Sequence, residues 1–157
     1  NTYDCFWILD SDLEVAPESL SRLVEVMSAS ESVGVTGCVI YDTYNRDIVV
    51  EAGADVCLRS GVVTPRYCNE RNPWLGSTED VDFIASGGGG SLIRVEALRK
   101  VGLHDERYYF LWEDTDFGLG LKANGYRAVI RLSKTGTIIG AVHHKDGIGP
   151  GIEFPAG

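Results

Sequence analysis

Two aspartates separated by one residue follow an apolar run near the start of the sequence. The run is Phe6–Leu9, and Asp10 and Asp12 come directly after it. Because open α/β sheets bind ligands beyond the carboxyl ends of their strands, acids at this position are well placed for chemistry. Paired carboxylate oxygens suit Mg²⁺ or Mn²⁺, which can bridge to phosphate oxygens. The alternative is that Asp12 only caps the helix that follows, and a D-x-D pair alone does not decide between the two.

A second acidic cluster is formed by residues 113–116, with the sequence EDTD. Acids are common in the first turn of a helix because they interact favourably with the helix dipole, so a charged helix start is the ordinary explanation. Here, however, the acids follow the aromatic segment 108–112, YYFLW. A carboxylate beside aromatic side chains and other acids is expected to have a raised pKa, which suits a general base.

Histidines and glycines provide two further candidate features. His143 and His144 follow the residues TIIGAV (137–142) at the end of a predicted strand, where a ring nitrogen can bind a metal, although a surface pair is the ordinary explanation. The four glycines 87–90 can form a loose loop, or they can let the backbone approach a ligand where a Cβ would intrude. They are not a P-loop, because no G-K-[ST] sequence follows.

The elements that must position these residues alternate between strand and helix patterns. Apolar segments predict strands at residues 3–9, 33–41, 81–86, 126–132 and 136–144. Residues 91–102 predict a short strand that runs into a helix, which Gly102 can end, and further helical patterns cover residues 16–30 and 113–125. The first helix places Leu20, Leu23, Val24 and Met27 on one face. A small antiparallel excursion and a long loop at about 66–79 fill the middle. The opening order of strand, acidic loop, helix and strand is typical of an α/β sheet with parallel strands.

Length and composition fit one soluble domain over residues 1–157, with a mobile tail predicted at 145–157. The net charge of −9 argues against non-specific binding to nucleic acid or to an anionic membrane surface. No apolar run approaches the roughly 18 residues of a membrane helix. The four cysteines form no C-x-x-C pair, which disfavours a zinc ribbon. We expect reduced cysteines and a cytoplasmic setting.

Taken together and in order, these segments resemble the family 2 glycosyltransferases with the GT-A fold. The resemblance rests on the strand that ends in D-x-D, on a histidine at a later strand end, and on residues 83–127, FIASGGGGSLIRVEALRKVGLHDERYYFLWEDTDFGLGLKANGYR. It spans residues 3–144 and is strongest to the bacterial rhamnosyltransferase and galactofuranosyltransferase branch. It implies a partial GT-A fold: a mixed, mostly parallel sheet flanked by helices, without the N-terminal strand–helix units that hold the base and ribose.

The resemblance implies a metal and donor site. Asp12 would bind the divalent cation, Mn²⁺ or Mg²⁺, that bridges the diphosphate of a dTDP- or UDP-sugar. Asp10 would lie beside the ribose and the metal, and His143 would complete the metal site, with His144 as the competing choice. Gly88 and Gly89, within the run 87–90, would shape the donor-sugar and acceptor pocket together with Trp112.

The acceptor side follows from the same resemblance. Asp114 would be the base that deprotonates the acceptor hydroxyl, Glu113 would tune or orient it, and Trp112 would shape the pocket. The implied reaction is an inverting, metal-dependent transfer to a glycan or lipid-linked glycan in cell-surface polysaccharide synthesis. This places the enzyme in the cytoplasm, at the inner face of the plasma membrane.

Two other classes of protein fit the sequence less well. A phosphate-handling enzyme that uses D-x-D as its metal site is disfavoured, because Leu13 and Glu14 follow Asp12 where D-x-[TV] is usual. A non-catalytic carbohydrate-binding module would use Trp74, Trp112 and the pair 108–109 for stacking, although core packing is the ordinary role of each aromatic.

The sequence begins at the D-x-D strand, so either the chain is a piece of a longer protein or a partner supplies the rest of the nucleotide pocket. We expect a piece of a longer protein that by itself binds sugar nucleotide poorly. Membrane association would then depend on other parts of that protein. An exposed edge strand near residue 5 would also favour self-association.

Overall fold

A computed structural model describes residues 3–11, 13–42, 44–68, 70–71, 79–84, 89–108, 112–132 and 140–143, with backbone only at 79 and 140–143. In chain order the elements are β1 (Cys5–Ile8), β2 (Leu13–Val15), α1 (Ser19–Ser28), β3 (Val33–Gly37), β4 (Val39–Asp42), β5 (Val49–Glu51), β6 (Ala54–Cys57), β7 (Val62–Pro65), β8 (Glu79–Phe83), β9 (Ser91–Arg94), α2 (Val95–Val101), α3 (Glu113–Ala123), β10 (Arg127–Leu132) and β11 (Gly140–His143). The predicted tail at 145–157 lies outside these ranges.

The largest sheet has the strand order β1-β9-β3-β10-β8. Strand β9 runs antiparallel to both β1 and β3, while β10 is parallel to β3 and antiparallel to β8. This mixed sheet flanked by helices confirms the predicted fold class. Parallel pairing is less common than predicted, because β9 is inserted in the opposite direction between β1 and β3.

Helices cover both faces of this sheet, and alternate strand residues feed two separate cores. On β9, Ile93 packs with the α2 and α3 side chains, whereas Leu92 packs with α1. On β10, Ala128 and Ile130 join the first core, and Val129 joins the second. The two helical layers therefore hold the strand ends in place from opposite sides.

The second sheet has the order β2-β11-β4-β5, and β6 and β7 form a separate antiparallel hairpin. The hairpin confirms the small antiparallel excursion predicted for the middle of the chain. The predicted strand 33–41 is interrupted at Cys38, so that β3 and β4 belong to different sheets. Most of the predicted loop at 66–79 lies outside the described residues.

The buried face of α1 differs from the predicted one. Leu23 and Met27 are buried as expected, but Leu20 and Val24 are 43% and 45% exposed. Val26 is buried in their place. The helix is therefore rotated so that the 23, 26 and 27 positions face the sheet.

Arg94, at the end of β9, ties this strand to α1. Its guanidinium donates hydrogen bonds to the carbonyl oxygens of Val33 at 2.8 Å, Met27 at 2.7 Å and Ser30 at 3.1 Å. The Met27 carbonyl lies in the last turn of α1, where a helix leaves acceptors without helical partners, and Ser30 follows the helix. Arg94 thereby fixes the strand that pairs with β1.

Strand β1 lies at the edge of the main sheet in the described part of the chain, as the sequence predicted. Its residues Phe6 and Ile8 are 47% and 42% exposed. Self-association through this edge stays a prediction.

The four cysteines are all free thiols. Cys38 is buried, and burial raises the pKa of its thiol to about 12. In the residues that the structure describes, no helix has the length and apolar character that crossing a bilayer requires.

Candidate active site

A cavity of about 470 Å³ opens between the end of β1 and the start of α3. Its lining includes Asp10, Gly89, His104, Trp112, Glu113 and Asp114. Five of these six residues were singled out from the sequence, and they come from three separate parts of the chain. The fold therefore brings the first acid of the D-x-D pair and the second acidic cluster to one cavity. It is large enough for a small ligand and lies partly against buried apolar side chains.

Asp10 is positioned by direct contact with the backbone of Gly89. A Cβ built on Gly89 would lie 2.5 Å from Cγ of Asp10 and 2.7 Å from each carboxylate oxygen. Gly89 also has φ +70, in the left-handed region where residues with a side chain are strained. The sequence predicted a close backbone approach at the glycines, and at Gly89 the group approached is the Asp10 carboxylate. Gly88 lies outside the described residues.

The segment after β1 makes a tight turn into β2, in which the backbone N–H of Leu13 donates to the carbonyl oxygen of Asp10 at 3.3 Å. Strand β2 then separates this turn from α1, whose N-cap is Glu18. A helix-capping role for Asp12 is therefore excluded, because the helix begins several residues later. Asp12 itself lies outside the described residues.

The predicted histidine lies on β11, which pairs with β2. His143 is opposite Leu13 on one side and opposite Asp42 of β4 on the other. This register brings the backbone of His143 to the residue that follows Asp12. The His143 side chain and the whole of His144 lie outside the part of the chain that the structure describes.

The predicted metal site is only partly visible. Asp10 is described, whereas Asp12 and the His143 side chain are not. Among the side chains that are described, no three or more histidines, cysteines or acids are grouped to hold a metal ion. The carboxylates of Asp10 and Asp12 with an imidazole form a donor set that Mg²⁺ or Mn²⁺ accepts, so the metal site stays a prediction that fits these residue types.

Asp114 is half-buried in the first turn of α3. Burial raises the pKa of its carboxyl, and the negative charge of Glu113 raises it further. The hydrogen bond from the backbone N–H of Thr115, at 2.7 Å, acts in the opposite direction. The net effect is that the pKa of the Asp114 carboxyl is raised, as the sequence predicted from its aromatic and acidic neighbours.

Glu113 is the neighbouring acid on α3 and also lines the cavity. Its Oε2 atom is buried and has no hydrogen-bond partner among the described residues. A buried oxygen of this kind is costly unless a ligand satisfies it. Glu113 therefore places a buried acceptor oxygen next to Asp114 in sequence, in the wall of the cavity.

Trp112 immediately precedes α3 and adopts a left-handed backbone conformation, with φ +74. For a bulky residue this conformation is strained by about 1–3 kcal/mol, and such strain is concentrated at functional sites. Its carbonyl oxygen accepts the first helical hydrogen bond, from the N–H of Asp116 at 2.8 Å. The side chain lines the cavity and is 46% exposed, which leaves its ring accessible to a ligand.

Gly118 is a positioning residue that the sequence interpretation missed. A Cβ at this position would lie 1.7 Å from the carbonyl oxygen of Ile84, which follows β8. The glycine lets α3 pack directly on that backbone, one helical turn after Asp114. A glycine within a predicted helix, close behind an acidic cluster, was the available signal.

His104 is a second lining residue that sequence reasoning did not select. It lies in the quoted segment VGLHDERYYF, but nothing in the local pattern separates it from a surface histidine.

The family described as "Glycosyl transferase family group 2" matches residues 5–133, which include β1, Asp10, Gly89, α3 and β10. The chain belongs to this family and carries a glycosyltransferase domain. No curated protein matches the chain. The matched region ends before His143, so the family match does not extend to the predicted histidine ligand.

Proposed function

We propose that this domain transfers a sugar from a nucleotide-diphosphate sugar to a hydroxyl of a glycan or lipid-linked glycan, with inversion and with a divalent cation. The observation that carries the proposal is the meeting of Asp10 and Asp114 at one cavity in a chain of the glycosyltransferase family. In the proposed reaction Asp10 lies on the side of the donor diphosphate and its cation, and Asp114 serves as the base on the other side of the cavity.

Asp114 is the proposed general base. It accepts the proton of the acceptor hydroxyl while the acceptor oxygen bonds to the anomeric carbon and the bond to the diphosphate breaks. A single in-line displacement of this kind needs one positioned base and no carboxylate nucleophile, and it inverts the anomeric carbon. The raised pKa makes the ionised Asp114 a stronger base than an ordinary aspartate.

The donor side is assigned to Asp10 and Asp12, with His143. A divalent cation bound there would neutralise the charge that develops on the diphosphate leaving group. Gly89 contributes by allowing the Asp10 carboxylate to lie against the backbone. The acidic surface of the chain is no obstacle to a diphosphate, because the cation supplies the positive charge.

The substrate class is proposed on the resemblance alone. Rhamnose from dTDP-rhamnose and galactofuranose from UDP-galactofuranose are the candidate donors, and cell-surface polysaccharide is the candidate product. The same resemblance supports a location at the inner face of the plasma membrane.

The proposal is tested with the full-length protein, Mn²⁺, the two candidate donors and a panel of glycan acceptors. We expect sugar transfer that stops when EDTA is added. NMR of the product should show that the anomeric configuration is inverted relative to the donor. Hydrolysis of a phosphate ester without any sugar acceptor would support the phosphate-handling enzyme instead. Sugar binding that ignores EDTA, without transfer, would support the carbohydrate-binding module.

A further inference from the structure

We propose that His104 is a further substrate-contacting residue, which hydrogen-bonds a hydroxyl of the acceptor sugar. This inference rests on the proposed function and adds to it a residue that determines affinity for the acceptor.

The position of the His104 ring is fixed by contact with α3. Its imidazole makes an edge contact with the ring of Phe117, with 4.9 Å between ring centroids and 67° between planes. Phe117 is buried and lies three residues after Asp114, so the two are neighbours on the helix surface. His104 therefore lies over the helical face that begins with the proposed base, and its own side chain is exposed.

The backbone on both sides of His104 is also constrained. Gly102 ends α2 with φ +99, a conformation that turns the chain away from the helix. After His104, the N–H of Tyr108 donates to the carbonyl oxygen of Asp105 at 3.0 Å. Arg107 pairs with the Asp105 carboxylate through its Nε atom at 2.9 Å. The imidazole of His104 thus lies between the turn at Gly102 and the turn at residues 105–108. In the second turn, Asp105 and Arg107 are paired with each other.

The chemistry of His104 differs from that of the other ionisable side chains that line the cavity. Asp10, Glu113 and Asp114 are carboxylates and, when ionised, only accept hydrogen bonds. Among the described ionisable lining residues, His104 alone can donate. A neutral imidazole offers one N–H donor and one nitrogen acceptor, which matches a sugar hydroxyl that also donates and accepts.

The neighbouring groups explain why the acceptor is the expected ligand. The exposed ring of Trp112 offers an apolar face to a sugar ring, and Asp114 accepts the proton of the reacting hydroxyl. Within the described residues, no hydrogen bond or ion pair engages the imidazole of His104. Because the His104 side chain is exposed and lines the cavity, it can reach a second hydroxyl of the same sugar.

Two variants separate hydrogen bonding from packing. His104→Phe keeps a ring against Phe117 but removes both polar nitrogens, and we expect the acceptor KM to rise about tenfold for the lost hydrogen bond. His104→Gln keeps a donor and an acceptor, and we expect it to stay within about threefold of wild type for the same reason. The donor KM and the Mn²⁺ dependence should be unchanged in both. Leu103→Ala is the matched control, since Leu103 is the adjacent residue and is 81% exposed.

Thermal melts of each variant check folding, and His104→Leu replaces His104→Phe if the latter is unstable. An unchanged acceptor KM in the Phe or Leu variant, or a loss confined to donor KM, would overturn the inference while the proposed function stands. A loss confined to the Gln variant would also overturn it, because Phe keeps the ring against Phe117 and a packing role predicts that result. A wild-type protein that transfers no sugar would overturn the proposed function and this inference with it.

Discussion

The carboxylate of Asp10 lies directly against the Cα of Gly89, so closely that a Cβ there would fall 2.5 Å from its Cγ atom. The two residues belong to different segments: Asp10 follows β1, and Gly89 precedes β9. Because β1 and β9 are paired, the glycine segment and the acid are held together by the same strand register. The position of the acid at the cavity therefore depends on a residue without a side chain.

Gly89→Ala is expected to displace Asp10 and to lower transfer activity by at least about tenfold, since the metal-side carboxylate would leave its position. Gly61→Ala is a matched control, because Gly61 has a similar φ of +71 but nothing within 4 Å of its would-be Cβ. Both variants carry the strain of an alanine at positive φ, about 1–2 kcal/mol. Steady-state transfer rates distinguish them, and equal activities in the two variants would contradict the role given to Gly89.

Gly118→Ala is expected to destabilise the fold by at least about 3 kcal/mol, because the added Cβ would lie on the carbonyl oxygen of Ile84 and backbone cannot easily yield. Gly120→Ala is the control in the same helix: its Cβ would meet only the Val101 side chain, at 2.7 Å. Since alanine favours helix by about 1 kcal/mol over glycine, Gly120→Ala should stay close to wild type. Urea unfolding measures both, and a mild Gly118→Ala would contradict the close packing of α3 on β8.

The pH dependence of transfer should reflect the raised pKa of Asp114. The base works only when it is ionised, so activity should fall as the pH drops through the pKa of Asp114. That pKa lies above the ordinary value of about 3.9 for aspartate. Glu113→Gln removes the neighbouring charge that raises the pKa, and it should move the acid limb of kcat/KM to lower pH. Burial, the larger cause, remains, so the shift should be partial. An acid limb that stays in place or moves upward would contradict this origin of the raised pKa.

The metal proposal predicts that Asp12→Ala weakens Mn²⁺-dependent binding of the donor nucleotide, because one hard oxygen ligand is lost. Titration calorimetry with and without Mn²⁺ measures the effect. Glu96→Ala, on the exposed surface of α2, controls for the change in net charge. Unchanged metal dependence would remove Asp12 from the site. A metal-bound structure would decide between His143 and His144, since the ligand must lie within about 2.5 Å of the ion.

The sequence predicted those features whose signal is local. The apolar run before Asp10, the acids of the first turn of α3 and the alternation of strand and helix are all visible within a few residues. The direction of β9 was not predictable in this way, because an apolar strand pattern looks the same in either direction. The buried face of α1 was partly misplaced for a related reason: Leu20 and Val24 fit the helical period as well as Leu23 and Met27 do, but the buried residue in their place is Val26.

The contacts that shape the candidate site are long-range and left no local trace. Gly89 meets Asp10, and Gly118 meets Ile84, only after distant segments have packed. The left-handed backbone conformation of Trp112 is disfavoured for a bulky residue, and it occurs directly before the start of α3. His104 reaches the cavity through its contact with Phe117, which no spacing in the sequence indicates.

The most direct test of the account is Asp114→Asn in the full-length protein, with transfer rate and donor affinity measured on the same preparation. Asn keeps the size of the side chain but cannot take the acceptor proton, so transfer should fall by about a hundredfold or more while donor affinity is largely kept. Asp116→Asn, an exposed acid in the same helical turn, should remain active. Near-normal transfer by Asp114→Asn would contradict the assignment of Asp114 as the base.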